Sequence, residues 1–182
     1  MSDAANVNAG KPASSGAVFV APLGTTLPTD ATTAKESAFK EVGYISSDGV
    51  TNSNSIESSD VKAWGGDTVL TLSTSKTDTF AFTMIESDNV EALKVAFGDA
   101  NVSTSNGLIT IQANNSAQAN RCFIIEMIGN DGKARRVVIP NGAVSALGDI
   151  TYKDDTPIGY PITITAALDT NNNTHYEYVQ TA

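Results

Sequence analysis

Residues 64–98, WGGDTVLTLSTSKTDTFAFTMIESDNVEALKVAFG, contain both the two-residue repeat of a β-strand and the repeat of an α-helix. The predicted architecture of the chain follows from these two patterns. Two runs within this segment, residues 69–72 and 79–85, alternate polar with apolar side chains. Alternation with a period of two, carried by β-branched and aromatic residues, predicts half-buried strands. The polar residues 73–78 between the runs predict a turn, so the two runs are expected to pair as antiparallel strands.

The period changes after residue 87, where the apolar side chains follow the repeat of a helix. Asp88 can cap a helix N-terminus, and Glu91 stands three residues later, as in a capping box. Gly98 suits the left-handed position at which many helices end. The sequence therefore predicts one helix at about 88–97. The predicted apolar face of this helix consists of Val90, Leu93, Val95 and Phe97.

Short apolar runs separated by turn-forming residues occupy most of the remaining chain. Strands are predicted at residues 16–21, 41–45, 107–113, 121–128, 133–140, 143–152 and 158–168. Turns are predicted at residues 46–49, 129–132 and 141–142, where Gly follows Asn or Asp. The polar segment 50–63 is predicted to be extended, at a sheet edge or reaching beyond its own domain. This pattern predicts a mainly β fold, a sandwich or barrel with one flanking helix and long loops.

The length of 182 residues favours one domain. Residues 1–15 are small and polar and predict a flexible arm, residues 16–170 a single β-rich domain, and residues 171–182 a C-terminal tail. The predicted hydrophobic core draws on the strands and on the helix. Its expected members are Phe80, Phe82, Met84, Leu93, Phe97, Ile124 and Ile164.

The charge balance argues against nucleic-acid binders of the basic-patch kind. The chain holds 11 Lys and Arg residues against 20 Asp and Glu residues, a formal net charge of −9, whereas such binders carry a positive surface. The basic cluster of Lys133, Arg135 and Arg136 is interpreted as a salt-bridging outer face or as a contact between subunits. No run approaches the roughly 20 apolar residues of a membrane helix, and residues 1–16 lack the features of a secretion signal. We therefore expect a soluble protein made in the cytoplasm, without membrane insertion.

Few of the residues from which enzyme sites are built occur in this sequence. One cysteine, Cys122, and one histidine, His175, are too few for a zinc cluster of the usual composition. No G-x-S-x-G elbow accompanies the many serines, and His175 is interpreted as structural or solvated. Calcium binding remains open at Asp154 and Asp155 or at Asp48. We predict a protein that is not an enzyme, with no catalytic, cofactor-binding or metal site.

Several motifs resemble one protein family. Residues 22–30, PLGTTLPTD, followed by residues 43–49, GYISSDG, are similar to the N-terminal region of major tail tube proteins of bacteriophages with long, non-contractile tails. Residues 64–98 resemble the middle of that family, and the closing IGYPITITAALD, residues 158–169, resembles its last strand. Together these motifs cover most of the chain.

This resemblance implies a β-sandwich with a flanking helix, of which six copies form a ring. Rings would stack into a hollow tube, and strands from each copy would join into a β-barrel around a lumen through which DNA passes. The implied partners are further copies of the chain and, in the virion tail, the tape measure protein, the tail terminator and the distal tail protein. A virion decoration protein or a carbohydrate-binding β-sandwich module is the alternative interpretation.

Contacts between rings or between subunits are expected on three segments: the N-terminal arm, the anchored loop 22–40, and the polar segment 51–62 with the residues that follow it. The candidate contact residues are Leu23, Leu27, Phe39, Asn52, Ile56, Val61 and Trp64.

Overall fold

The computed structural model describes residues 2, 4–14 and 16–181. Within them lie β1 (Lys11–Pro12), β2 (Val18–Pro22), β3 (Lys40–Glu41), β4 (Ile45–Lys62), β5 (Thr68–Met84), α1 (Val90–Phe97), β6 (Val102–Ser105), β7 (Leu108–Ile111), β8 (Arg121–Ile128), β9 (Ala134–Leu147), β10 (Tyr160–Ala166) and β11 (Tyr176–Val179). Single 3-10 turns occur at Ala4–Asn6 and Asp99–Asn101. The prediction of a mainly β fold with one α-helix is confirmed for the described residues.

Nine of these strands form one sheet in which all neighbours are antiparallel, with the order β3-β2-β8-β9-β10-β5-β4. Two short strands extend this order: β1 pairs with β8, and β11 pairs with β9. The remaining strands, β6 and β7, form a separate hairpin. The long strands β8 and β9 thus join the two halves of the sheet.

The core lies on both faces of the central strands. One cluster collects the inward side chains of β2, β5, β8, β9 and β10 around the helix. A second, smaller cluster lies on the opposite face of β2, β8 and β9, beneath the loop 23–39 and beside the tyrosines of β11. Because β8 is covered on both faces, residues 121–125 are all buried. This explains why its sequence, RCFII, does not alternate.

The predicted core residues are distributed over both clusters. The larger cluster contains Phe80, Phe82, Met84, Leu93 and Ile164, all of them buried. Phe97 is half-buried at the edge of that cluster, where its ring meets Tyr160 edge-on at 5.8 Å between centroids. Ile124 is buried in the smaller cluster.

The predicted turn at residues 73–78 is wrong, because β5 runs through it without a break. The partner of β5 is β4, and the chain reverses at residues 63–67, where the Ala63 amide donates to the Asp67 carbonyl at 2.8 Å. Gly65 and Gly66 have φ angles of 125° and 97°, which residues with a side chain rarely adopt. The segment 64–98 is therefore a hairpin tip, one long strand and a helix.

Two further predicted turns are irregularities within strands. At residues 46–49 the strand β4 bulges, since Ile45 pairs with Met84 but Val50 already pairs with Phe82. At Asn141-Gly142 the strand β9 continues past a register shift. A Cβ atom on Gly142 would lie 2.8 Å from side-chain atoms of Ile164 and Phe123, so close packing requires the glycine there.

The helix begins at Val90, and Asn89 caps it instead of the predicted Asp88. The Asn89 side-chain oxygen accepts hydrogen bonds from the amides of Glu91 and Ala92 at 3.0 and 3.4 Å. The amide group of Asn89 in turn donates to Glu86, three residues earlier, at 2.9 Å, and this local contact holds the Asn89 side chain in the capping position. At the other end Gly98 has a φ angle of 95° and ends the helix.

The segments at both ends contribute strands to the sheet. In the N-terminal segment, β1 pairs with β8, and the Asn8 amide group donates to Asp131 at 2.7 Å. In the C-terminal segment, β11 pairs with residues 135–138 of β9. Residues 1, 3, 15 and 182 of these two segments lie outside the described part of the chain.

Candidate functional site: a projecting hairpin, its root and a groove

The β4–β5 hairpin projects from the body of the protein. β4 has 18 residues and β5 has 17, but β10 pairs with β5 only from Thr79 to Met84. Residues 54–77, which we call the distal hairpin, are all exposed. At about 3.3 Å per residue, the part of β5 before Thr79 extends roughly 35 Å.

Both backbone edges of the distal hairpin are unpaired within the described residues. A two-stranded ribbon in water is only marginally stable, and exposed strand edges are templates for pairing with another chain. Nine of its 24 residues are Thr or Ser and five are charged, so its side chains add little burial of their own. The distal hairpin is therefore the element of this fold that another protein chain would complete.

An apolar patch lies near the end of the distal hairpin. A bulge at Thr74 inserts one residue into β5, and beyond it Val61 lies directly opposite Leu70. Leu72 shares the face of this pair because side chains alternate along a strand. All three side chains are exposed, and Trp64 at the turn is fully exposed. We call Val61, Trp64, Leu70 and Leu72 the tip patch.

The root of the hairpin is held by a buried carboxylate, Asp78, which is 1% exposed. Its Oδ2 atom accepts a hydrogen bond from the Thr174 hydroxyl at 2.7 Å and lies 2.5 Å from His175 Nδ1. Its Oδ1 atom accepts from the Asn52 amide group at 2.7 Å. The His175 ring also meets Phe80 edge-on at 5.2 Å. These contacts tie the segment before β11 to the point where the hairpin leaves the sheet.

The hydrogen bonds at the root keep Asp78 ionised. Burial alone would raise the pKa of this carboxyl, but the bonds from Thr174, Asn52 and His175 outweigh burial and lower the pKa below its usual value. An ionised carboxylate can only accept hydrogen bonds, so His175 Nδ1 carries the shared hydrogen. We call Asp78, His175, Thr174 and Asn52 the root clamp.

The root clamp has the geometry of a structural contact, because the Thr174 hydroxyl donates its hydrogen to Asp78. His175 Nε2 lies 3.8 Å from Glu177, an acidic group. Cys122 is buried elsewhere, where burial raises the pKa of its thiol and the thiol donates to the Pro140 carbonyl at 3.1 Å. Within the described residues, no group of three or more His, Cys, Asp or Glu side chains could hold a metal ion. No helix in this part of the chain is long and apolar enough to cross a membrane.

The loop between β2 and β3 is fastened to the sheet by Arg136, which is 4% exposed. Its guanidinium donates to the carbonyls of Asp30 and Thr33 at 2.8 and 2.9 Å and to Glu126 at 2.6 Å. Lys35 of the loop reaches the other Glu126 oxygen at 2.9 Å. These contacts order the loop in the single chain. Of the predicted basic cluster, Arg136 is thus a buried loop anchor, and Arg135 lies on the surface near Glu177.

An apolar groove of about 670 Å³ lies beside this loop. Its walls come from the loop, from β8 and β9, and from the segment between β10 and β11. Its lining includes Leu23, Leu27, Cys122, Val138, Leu168, Asp169, Tyr176 and Tyr178. The two tyrosine rings are stacked at 6.3 Å, while Leu23 and Leu168 are more than half exposed at the rim. We call this cavity the loop groove.

The contact candidates from the sequence fall into three environments. Ile56, Val61 and Trp64 are exposed on the hairpin, and Asn52 belongs to the root clamp. Leu23 and Leu27 line the loop groove. Phe39, in contrast, is buried in the smaller core cluster, where it supports the loop from beneath and is not available to a neighbouring copy.

Sequence reasoning missed Asp78 and the position of the hairpin turn. Gly65-Gly66 between two polar alternating segments is a hairpin signal, but the polar residues 73–78 were interpreted as the turn. That interpretation placed Asp78 in solvent. Its partners Thr174 and His175 are almost a hundred residues away, and no local pattern links them.

Comparison with known proteins gives the family. A profile of the family described as phage tail tube protein matches residues 3–182. None of the curated proteins matches the chain significantly. Among solved structures, the chain is similar to one from the cryo-EM structure of the anti-feeding prophage cap, the AFP tube terminating cap, with 9% identity, a TM-score of 0.46 and coverage of 99% of this chain and 100% of that chain. A likeness at this level says nothing about function.

The family profile covers nearly the whole chain and confirms the resemblance in the sequence at the level of the family. The chain therefore belongs to the phage tail tube protein family and is a structural component of the virion tail.

Proposed function

We propose that six copies of this chain form a ring, that the rings stack into the tail tube, and that the tube conducts DNA during ejection. The observation that carries this proposal is the distal hairpin, a ribbon whose two edges are unpaired and whose side chains are all exposed in the described part of the chain. Pairing of each ribbon with neighbouring copies would remove these edges, as closed barrels do.

The charge of the chain supports a conduit for DNA. Six copies at −9 each carry 6 × −9, or −54 in formal charge. The distal hairpin itself has Glu57, Asp60 and Asp67 against Lys62 and Lys76, and nine of its other 19 residues carry a hydroxyl. A wall of this kind repels phosphates and does not retain DNA electrostatically. At its ends the tube would contact the tape measure protein, the tail terminator and the distal tail protein.

The proposal is tested by shortening the hairpin. Ile56 and Lys76 lie opposite each other in register, so replacing residues 57–75 by Asn-Gly closes the shortened ribbon with a two-residue turn. We expect a folded monomer by circular dichroism and light scattering that forms no tubes in negative-stain electron microscopy. The wild-type protein should form tubes whose end views show six-fold symmetry.

Tubes of unchanged diameter from the shortened variant would contradict the role of the distal hairpin. A wild-type protein that forms neither rings nor tubes at any concentration would contradict the proposed function as a whole. A lumen with positive potential in the assembled tube would contradict the proposed repulsion of DNA.

A further inference from the structure

We propose that the tip patch of one copy docks into the loop groove of a second copy. This inference rests on the proposed function and names the two surfaces that would meet. The tip patch is apolar although the surrounding distal hairpin is largely polar, and all four of its side chains are exposed. Trp64 is fully exposed and Leu70 and Leu72 are half-exposed, so much of their apolar surface remains in water in the monomer.

The loop groove has the size and the chemistry that the tip patch requires. Its volume of about 670 Å³ is in the range of pockets that enclose a small ligand, so an indole and neighbouring leucine side chains fit. Leu23 and Leu168 at the rim are 55% and 58% exposed. Docking would remove both these rim residues and the tip patch from water.

The two surfaces do not meet within one chain. The ribbon is paired from its root to residue 62, so it cannot fold back on the sheet. Trp64 accordingly remains fully exposed. The patch and the groove are different surfaces, and each copy carries both. Contacts of this kind repeat from copy to copy and generate closed rings or open stacks.

Charge at the contact does not select the occupant, because the tip carries charges of both signs and the groove carries a carboxylate. Asp169 is the charged residue among those that line the groove, and its carboxylate already accepts the Tyr176 hydroxyl at 2.6 Å. Lys62, exposed beside Val61, brings a positive charge to the tip, which also carries Asp60 and Asp67. The Asp60 carboxylate accepts a hydrogen bond from the Thr71 hydroxyl at 2.7 Å.

The small contact area favours a second copy of this chain over an unrelated protein as the occupant of the groove. One tip patch in one groove buries on the order of several hundred Å², since an aromatic side chain contributes about 150–250 Å². Stable protein pairs bury roughly 1,200–2,000 Å². A single contact is therefore too weak to hold a dimer, whereas repetition around an assembly makes it effective.

Trp64 provides a direct readout because it is the only tryptophan in the chain. We expect the fluorescence of the wild-type monomer to be that of an exposed indole, and to shift to shorter wavelength on tube formation. Leu168→Asp and, independently, Leu23→Asp should reduce assembly at least tenfold at equal concentration. Both side chains are exposed, so the monomers should fold normally by circular dichroism. Leu108→Asp, on β7 and 66% exposed, is the matched control and should assemble like wild type.

A second experiment, disulfide cross-linking, tests whether the tip patch of one copy lies against the loop groove of another. Because the native Cys122 also lines the groove, the experiment uses a Cys122→Ser background. In that background the double variant Leu72→Cys, Thr170→Cys should form disulfide-linked multimers on oxidation during assembly, while each single variant should not. If wild-type tubes form without a shift in Trp64 emission, and Leu168→Asp and Leu23→Asp assemble normally, the docking is wrong and the proposed function stands. If the wild-type protein forms no rings or tubes, both the docking and the proposed function are wrong.

Discussion

His175 Nδ1 lies 2.5 Å from Asp78 Oδ2, and this contact joins residues 97 positions apart in the chain. It lies where β5 passes from the exposed ribbon into the buried sheet. The direction in which the hairpin leaves the body therefore depends on the C-terminal segment, through a buried carboxylate and the side chains that donate to it.

Asp78→Asn should destabilise the monomer by about 2 kcal/mol, because the hydrogen bonds it loses are to a charged acceptor. Thr174, Asn52 and His175 would then face a neutral amide that is itself a donor. Urea unfolding followed by circular dichroism measures the loss. Asp48→Asn is the matched control, since Asp48 is exposed in the β4 bulge and should change the free energy of unfolding by less than about 0.5 kcal/mol. Equal effects of the two variants would contradict the role of the root clamp.

Stability should fall with acid, and Asp78 should account for part of the fall. The pKa of Asp78 is lowered in the folded protein, so its contribution is fully present above the unfolded pKa of about 3.9. That contribution is lost as the pH falls through the folded pKa, because the unfolded chain binds the proton more readily. Urea unfolding at pH 6, 4 and 3 should show a shallower decline for Asp78→Asn than for wild type. Parallel curves would show that Asp78 does not titrate with folding.

Arg136→Met should destabilise the protein by about 3 kcal/mol, because it leaves partly buried Glu126 with a single partner and two loop carbonyls without their donor. It should also expose the loop, so trypsin should cleave after Lys35 or Lys40 faster than in wild type. Arg135→Met is the matched control, since Arg135 is half-exposed and 3.9 Å from Glu177, and such surface pairs contribute about 0–1 kcal/mol. Unchanged cleavage in Arg136→Met would show that the loop is ordered by other contacts.

Gly142→Ala should cost about 1–3 kcal/mol through overpacking alone. The added Cβ would lie 2.8 Å from both Ile164 and Phe123. If the clash with Phe123 dominates, the double variant Gly142→Ala, Phe123→Leu should be more stable than the sum of the single variants predicts. A double-mutant cycle in urea measures this coupling. A coupling of zero would show that the clash with Phe123 does not cause the loss of stability.

Predictions from the sequence were most accurate where neighbouring residues alone determine the backbone conformation. The hairpin between β8 and β9 follows from Gly-Asn-Asp-Gly, in which Gly132 has a φ angle of 79°, and the bounds predicted for β8 match the structure. The alternation of Phe80, Phe82 and Met84 identified the buried face of β5. Gly98 ended the helix where it was expected.

Predictions failed where a polar segment is compatible with two conformations. The Thr and Ser residues of 73–78 suit a turn or a two-stranded ribbon equally well, and only pairing with β4 selects the ribbon. Asn141-Gly142 is a strong turn signal in isolation, yet packing against Phe123 and Ile164 holds it inside a strand. Asn89 caps the helix instead of Asp88, and Glu86 holds the Asn89 side chain in the capping position.

Periodicity and turn chemistry therefore determined the β-rich class of this protein and the one α-helix of its described residues, since both are encoded in neighbouring residues. The length and direction of the projecting hairpin, the burial of Asp78 and the loop groove were decided only by the tertiary structure. These features depend on contacts between distant segments, such as Asp78 with His175 and Arg136 with the loop carbonyls. The free energy of such contacts exists only once the chain has folded.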